Sequence, residues 1–192
     1  MLRSKTKPIA WLVSNCETSS GREEYVQRLQ QHIQVDIYGA CSNRSCAQSP
    51  AACDRMLADD YFFYIAFENS DCLDYVTEKF YRAYYTFTVP IVIDRNVSRW
   101  FAPESRLLSQ KTAPTIHTSF IAASDYRSPQ HLAQHLLTLL KNRKAYERFF
   151  EYQRQLEIYR SRELDWCRLC AMLHDRKPSV VENLTSWWAP DN

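Results

Sequence analysis

Only two glycines, Gly21 and Gly39, stand among 192 residues, and that scarcity removes whole classes of function at once. A Walker loop and a dinucleotide fingerprint each need several glycines at fixed spacing, because only a bare backbone closes its N–H groups around a phosphate. Neither can be built here. The chain also has no His-Glu-x-x-His zinc helix and no Gly-x-Ser-x-Gly nucleophile elbow. No apolar run approaches the roughly 20 residues of a membrane helix, and the longest, Tyr61 to Phe67 and Val89 to Ile93, have the length of strands. The first residues, Met1 to Lys7, lack the apolar region of a signal peptide, so the sequence carries no visible secretory address and reads as a fragment. A formal net charge of +2 gives no general attraction to nucleic acid or anionic membranes, so any basic chemistry must be local.

Cysteine, by contrast, is plentiful. Seven of them, at 16, 41, 46, 53, 72, 167 and 170, are many for a reduced compartment. Three sequons, at Asn43, Asn96 and Asn183, are glycosylation candidates and favour the same oxidising, secretory setting. The alternative is zinc, since Cys167 and Cys170 have knuckle spacing and Cys41, Cys46 or Cys53 could complete a set; it ranks second because no second Cys-x-x-Cys pair appears. An odd count leaves at least one thiol unpaired within the chain. His131 and His135 have helical i,i+4 spacing, but with no acid beside them they read as polar helix surface and no metal ligand is assigned.

The periodicity alternates between strand and helix. Ile9 to Ser14 reads as a strand, Arg22 to about Gln31 as a helix with Tyr25, Val26 and Leu29 inward, and Val35 to Tyr38 as a second strand closed by Gly39. Residues 40–53 read as a polar loop that disulfides could pin, with a helical turn at Asp54 to Ala58. Tyr61 to Phe67 suits a strand buried on both faces, followed by a helix from about Asp74 to Tyr85 and a strand at Val89 to Ile93. Residues 94–118 show no period. Ser119 to Ala123 reads as a last short strand, Pro129 opens a helix lined by Leu132, Leu136, Leu139 and Leu140, and two more helical stretches follow at 143–159 and 162–174. This pattern predicts one α/β domain with a parallel sheet over residues 1–142 and a helical extension over 143–192, with ligands at the carboxyl ends of the strands.

Glu68, Asn69 and Ser70 follow the most buried strand directly, where such crevices lie. On the helix beyond, Tyr75, Glu78, Lys79 and Arg82 fall on one face and Val76, Phe80 and Ala83 on the other. The helix start and Lys79 could take a diphosphate without any glycine loop, and Glu78 could accept from ribose hydroxyls. The plainer alternative makes Glu78 and Arg82 a surface ion pair and Lys79 a solvated cation. The residue pattern leaves both open.

The string Phe63-Tyr-Ile-Ala-Phe-Glu-Asn-Ser70, with Asp74-Tyr-Val-Thr-Glu-Lys-Phe80 and Val89-Pro90, resembles the signature block of the α-1,3/4-fucosyltransferases, glycosyltransferase family 10. Trp11 to Cys16, Arg22 to Leu29, Val35 to Gly39, Phe120-Ile121, Asp125-Tyr126 and Ser128-Pro129 extend the likeness over nearly the whole chain. Trp166 to Asp175, with the early cysteines, is most similar to the branch that fucosylates the N-glycan core. The resemblance implies the Rossmann-like C-terminal half of a two-domain GT-B enzyme of the Golgi lumen, a type II membrane protein at full length. Such an enzyme moves L-fucose from GDP-fucose in α-1,3 linkage to GlcNAc of a glycoprotein, with inversion and no metal required in the site. It implies that Arg22 and Lys79 meet the diphosphate, Glu78 the ribose, Tyr75 the nucleotide region, and Glu68 with Asn69 the fucose and β-phosphate. The catalytic base is expected in a separate N-terminal domain. Disulfide candidates are Cys41, Cys46, Cys53, Cys72, Cys167 and Cys170. Against the family pattern, Asp94-Arg95 stands where a glycine turn is common, so a different backbone path is expected there, and residues 106–118 read as an insertion. Two other readings are an inactive nucleotide-sugar-binding module and a disulfide-stapled secreted interaction domain.

Overall fold

A computed structural model describes residues 4–46, 49–72, 74–103, 118–158, 162–175, 180 and 183. Five strands form one fully parallel sheet: β1 (Lys7–Leu12), β2 (Val35–Tyr38), β3 (Tyr61–Ile65), β4 (Val89–Val92) and β5 (Ile121–Ala122), in the order β2-β1-β3-β4-β5. Ile9 lies opposite Val35 on one side and Phe63 on the other, which fixes the register at the sheet centre. Successive side chains on a strand point to opposite faces, so each strand feeds two cores. Ile9, Trp11, Phe63, Ile65 and Ile91 meet helices α1 (Arg22–Leu29) and α5 (Pro129–Lys141) through Val26, Leu29, Leu132 and Leu136. Ala10, Tyr64 and Ala122 meet α2 (Pro50–Asp60) and α3 (Glu78–Tyr85) through Leu57, Phe80, Ala83 and Tyr84. Burial on both faces explains why Tyr61 to Phe67 carries no polar alternation.

Several boundaries differ from the sequence expectation for local reasons. The segment 50–53, expected as loop, belongs to α2: Ser49 accepts a hydrogen bond from the Ala52 N–H as its cap, and Pro50 supplies a preset first turn. Helix α3 begins at Glu78, not Asp74, because Asp74 is left-handed (φ 60°) and Thr77 is extended. Both break the helical path, so Tyr75 lies before the helix and off the face of Glu78, Lys79 and Arg82. After β4, Asp94 caps a short helix α4 (Arg95–Ser98) by accepting from the Asn96 N–H, an extended residue where a glycine turn would sit. The last strand is only two residues long, and Ala123–Asp125 is already a 3₁₀ turn. Residues 106–117 of the expected insertion lie outside the described residues.

The compact unit runs Met1–Leu156, beyond the expected division at 142. α6 (Arg143–Glu147) and the 3₁₀ turn Arg148–Arg154 belong to it because Tyr146 and Tyr152 are buried in the two cores and the Tyr146 hydroxyl donates to the Phe62 carbonyl at 2.7 Å. A second unit, Glu157–Asn192, contains α7 (Arg162–Asp175). Among the described residues no helix is long and apolar enough to cross a membrane.

Disulfides join Cys16 to Cys41 and Cys46 to Cys53. Cys16 lay outside the expected disulfide set, while Cys72, Cys167 and Cys170, inside it, are free thiols. With Cys41, Cys46 and Cys53 oxidised, the zinc alternative loses the ligands it needed beside Cys167 and Cys170. Asn43, Asn96 and Asn183 are all exposed, Asn96 within α4.

Two interactions at the β2 edge generate predictions. The Tyr61 hydroxyl donates to Asp36 at 2.6 Å, and Arg44 and Gln34 donate to the other carboxylate oxygen at 2.9 and 3.1 Å. Burial alone would raise the Asp36 carboxyl, but these bonds hold it below the usual carboxylate range. A depressed folded pKa means stability that is present at neutral pH and lost as pH falls through the carboxylate range. Asp36→Asn should therefore cost about 1–3 kcal/mol at pH 7, by urea midpoints, with the difference from wild type closing below about pH 4. Gly39 has φ +109°, and a Cβ there would sit 2.3 Å from the Val13 carbonyl oxygen. Gly39→Ala should lower stability by about 2 kcal/mol or more in the same assay.

Candidate functional site

The chain leaves β1 toward β2 on one side and leaves β3 toward β4 on the other, so the carboxyl ends of the neighbouring strands β1 and β3 form a topological switch point. A cleft of about 570 Å³ opens there, within the size range of small-molecule sites. Its walls come from Ser14 and Asn15 after β1, Asn69 after β3, the starts of α1 and α2, and the face of α3 that carries Glu78, Lys79 and Arg82.

Arg22 forms the floor. It is only 2% exposed, and its guanidinium donates to the Phe67 carbonyl at 3.0 Å, the Asn15 carbonyl at 2.7 Å and Glu23 Oε1 at 3.0 Å, while lying 5.6 Å from the centre of the Trp11 ring. One side chain thus ties the end of β1 to the end of β3. Its place follows from the α1 start: Gly21 takes the left-handed conformation (φ 66°), and Arg22 enters the helix pointing inward under the loop. Glu23, beside it, also accepts from Thr18 at 3.0 Å, and although burial would raise its carboxyl, Arg22 holds it below the usual range.

Glu68 stands one step behind the cleft. Its carboxylate accepts from the Thr77 N–H at 2.8 Å and from the Thr77 hydroxyl at 2.8 Å, satisfying the open start of α3, and from Lys79 Nζ at 3.0 Å. Ser20 donates to the Glu68 carbonyl at 3.0 Å, which joins the loop before α1 to the same segment. Lys79 is accordingly not a solvated cation: its side chain is 17% exposed, set between Glu68 and, at 3.5 Å, Glu78. Glu78 is the most open of the group; burial works against its ionisation, but Lys79 beside it holds its carboxyl below the usual range. The expected Glu78–Arg82 surface pair does not form among these contacts, because Arg82 turns toward α2, with Nε 3.2 Å from Asp54 Oδ1.

The structure therefore brings Arg22, Asn69, Glu78 and Lys79 into one cleft. Glu68 and Tyr75 instead line a small cavity of about 20 Å³ beside it, with Cys72, Val76 and Asp94, room for about one water molecule. Ser14 and Asn15, which were not expected in the site, line the cleft together with Arg82, expected on the same helix face as Glu78 and Lys79, and with the Cys46–Cys53 bridge. Ser14 and Asn15 follow β1 as Glu68 and Asn69 follow β3, and that parallel was the available signal. The remaining expectations are plain helix surface: the His131 ring meets Ser128 at 2.8 Å, and His135 packs against Tyr126, with burial lowering its pKa. Among the described residues no three His, Cys, Asp or Glu side chains gather where they could hold a metal ion.

Residues 2–187 match the family model described as glycosyltransferase family 10 (fucosyltransferase), C-terminal. The chain is 40% identical over 191 residues to glycoprotein 3-alpha-L-fucosyltransferase A of Drosophila melanogaster, covering 96% of this chain and 35% of that protein. It is 34% identical over 200 residues to alpha-(1,3)-fucosyltransferase fut-1 of Caenorhabditis elegans, covering 98% of this chain and 43% of that protein. It thus spans less than half the length of either relative. The crystal structure of an α1,3-fucosyltransferase with GDP-fucose superposes with a TM-score of 0.60 at 18% identity, over 93% of this chain and 50% of that one, a likeness of fold. The sheet order, the cleft at its switch point and the match over nearly the full length make this chain a member of glycosyltransferase family 10, the fucosyltransferases, in the C-terminal portion of the family.

Proposed function

We propose that this chain is the donor-binding half of an α-1,3-fucosyltransferase, which holds GDP-fucose in the cleft between the β1 and β3 ends. The observation that carries the reading is the arrangement of Lys79 and Glu78 on the first turn of α3 above the buried Arg22, all lining one cleft at the switch point. A nucleoside diphosphate needs a cation for its phosphates and a carboxylate for its ribose hydroxyls, and α3 presents the two side by side. The names of the relatives and the GDP-fucose-bound structural neighbour support the same donor.

In the reaction, a hydroxyl of an acceptor GlcNAc attacks the anomeric carbon of fucose from the face opposite GDP. The bond from that carbon to the diphosphate oxygen breaks, its electron pair leaves with GDP, and configuration inverts. Negative charge grows on the diphosphate in the transition state. Lys79, aimed by Glu68, and Arg22 beneath it place positive charge where that growth occurs, in a partly desolvated wall that needs no reorganisation. Glu78 fixes the ribose, and Asn69 lies at the sugar end. In this reading Glu68 acts through Lys79 and the α3 start, and Tyr75 supports the loop rather than touching the nucleotide. The acceptor is a glycan of a glycoprotein, and the base that takes its proton is not assigned to any residue of this cleft. The Golgi lumen is the proposed location, in keeping with two disulfides and three exposed sequons.

Calorimetric titration with GDP and GDP-fucose should give saturable 1:1 binding; a folded sample that binds neither overturns the reading. Lys79→Ala should weaken GDP at least tenfold while moving the thermal midpoint by no more than a few degrees. A collapse of the midpoint instead would make Lys79 a structural residue.

A further inference from the structure

Different parts of the cleft wall are held in different ways. Arg22 and Lys79 are fixed by partly or fully buried hydrogen bonds, to the Asn15 and Phe67 carbonyls and to Glu68. The return from β2 to α2 is another matter. It gives the cleft Ser45, Cys46, Ser49, Pro50 and Cys53, yet from Gly39 to Cys53 no described residue is buried, and burial resumes only at Asp54 and Leu57. A segment that sends no apolar side chain into a core is ordered by its local fastenings alone.

Those fastenings fall into two groups. The turn after β2 is closed by the Gly39 N–H on the Arg44 carbonyl at 2.9 Å and by the Ser42 hydroxyl, which donates to the Ile37 carbonyl at 2.8 Å. The Cys16–Cys41 disulfide ties that turn to the loop after β1, which Arg22 also holds through the Asn15 carbonyl, so the turn does not depend on one bond. From Ser45 to Cys53 the side-chain links among the described residues are the Ser49 cap on the Ala52 N–H, at 3.3 Å, and the Cys46–Cys53 disulfide. The disulfide is the link that fastens the first turn of α2 back to the chain leaving β2.

We propose that the Cys46–Cys53 disulfide is a redox latch on the donor cleft: oxidised, it sets the β2-to-α2 wall, and reduced, it frees that wall and weakens the donor while the sheet and its two cores stay folded. The inference rests on the donor reading above. A freed wall must be ordered again each time a donor binds, which lowers affinity without removing any contact of the bound state. Reduction requires a thiol of the glutathione class. One thiolate attacks a sulfur of the pair to form a mixed disulfide, and a second attacks that bond. The products are two protein thiols and one external disulfide, with two electrons and two protons passed to the cysteines. Both cysteines line the cleft, so the bond lies within reach of the attacking thiol. Full donor affinity then arises in an oxidising compartment, where the bond persists.

The test is calorimetric titration with GDP, with far-UV circular dichroism and the thermal midpoint followed on the same samples. Cys46→Ser with Cys53→Ser should weaken GDP about tenfold, keep the native spectrum and lower the midpoint by a few degrees, whereas Cys16→Ser with Cys41→Ser should change affinity less than threefold. If the first double variant does not fold on expression, wild type folded first and then reduced in place gives the same comparison. By linkage, saturating GDP should raise the oxidised-to-reduced ratio of the Cys46–Cys53 pair about tenfold in a glutathione buffer, read by alkylation and mass spectrometry. GDP affinity within twofold of wild type after loss of the bond overturns the latch, as does a redox ratio that GDP leaves unchanged. Loss of the native spectrum on reduction in place also overturns it, by making the bond a staple of the fold. Oxidised wild type that binds no GDP overturns the donor reading itself.

Discussion

A single buried guanidinium holds the site together. Arg22 spans the gap between the ends of β1 and β3, where the parallel sheet splays and no backbone ladder continues, and it meets the Asn15 and Phe67 carbonyls that would otherwise face a half-dry crevice unpaired. Without that bridge the two loops that wall the cleft would have no common anchor. Its charge is balanced by Glu23 and eased by the Trp11 ring of β1, which together with the two carbonyls offset the cost of burying it. The loops can then be long and poor in glycine, since a side chain does the bridging that a glycine-rich loop performs with backbone.

The same economy appears at α3. Glu68 caps the helix from a distance in sequence and holds Lys79 with the carboxylate that does the capping. A helix start already filled by a carboxylate is a poor seat for a second anion, so the phosphate contact passes from backbone N–H groups to the side chains of Lys79 and Arg22. The positive end of the helix dipole fixes Glu68, and Glu68 fixes the lysine. Farther along α3, Arg82 ties the helix to α2 through Asp54, whose Oδ1 lies 3.2 Å from its Nε.

Much of this was legible in the residue order. The unbroken apolar run from Tyr61 to Phe67 announces a strand buried on both faces, and the polar triplet after it marks the end of that strand as a site. Helix starts were harder. The α3 boundary turned on one left-handed residue, Asp74, whose conformation no periodicity reports. The α2 start was hidden because its cap and first proline sit in a cysteine-rich stretch that reads as loop. The compact unit reaches Leu156 because Tyr146, in the five-residue α6, and Tyr152, in a 3₁₀ turn, complete both cores with their rings.

Sequence alone determined the fold class, the order of the strands and the family, because these follow from local periodicity and from a long specific string. Tertiary structure decided which side chains share a space. It separated Tyr75 and Glu68 from the cleft and placed Arg22 beneath it. It also paired Cys16 with Cys41 and brought Asp54 to Arg82. Contacts between residues tens of positions apart depend on how the sheet twists and where each loop returns, and no window of the chain contains that information.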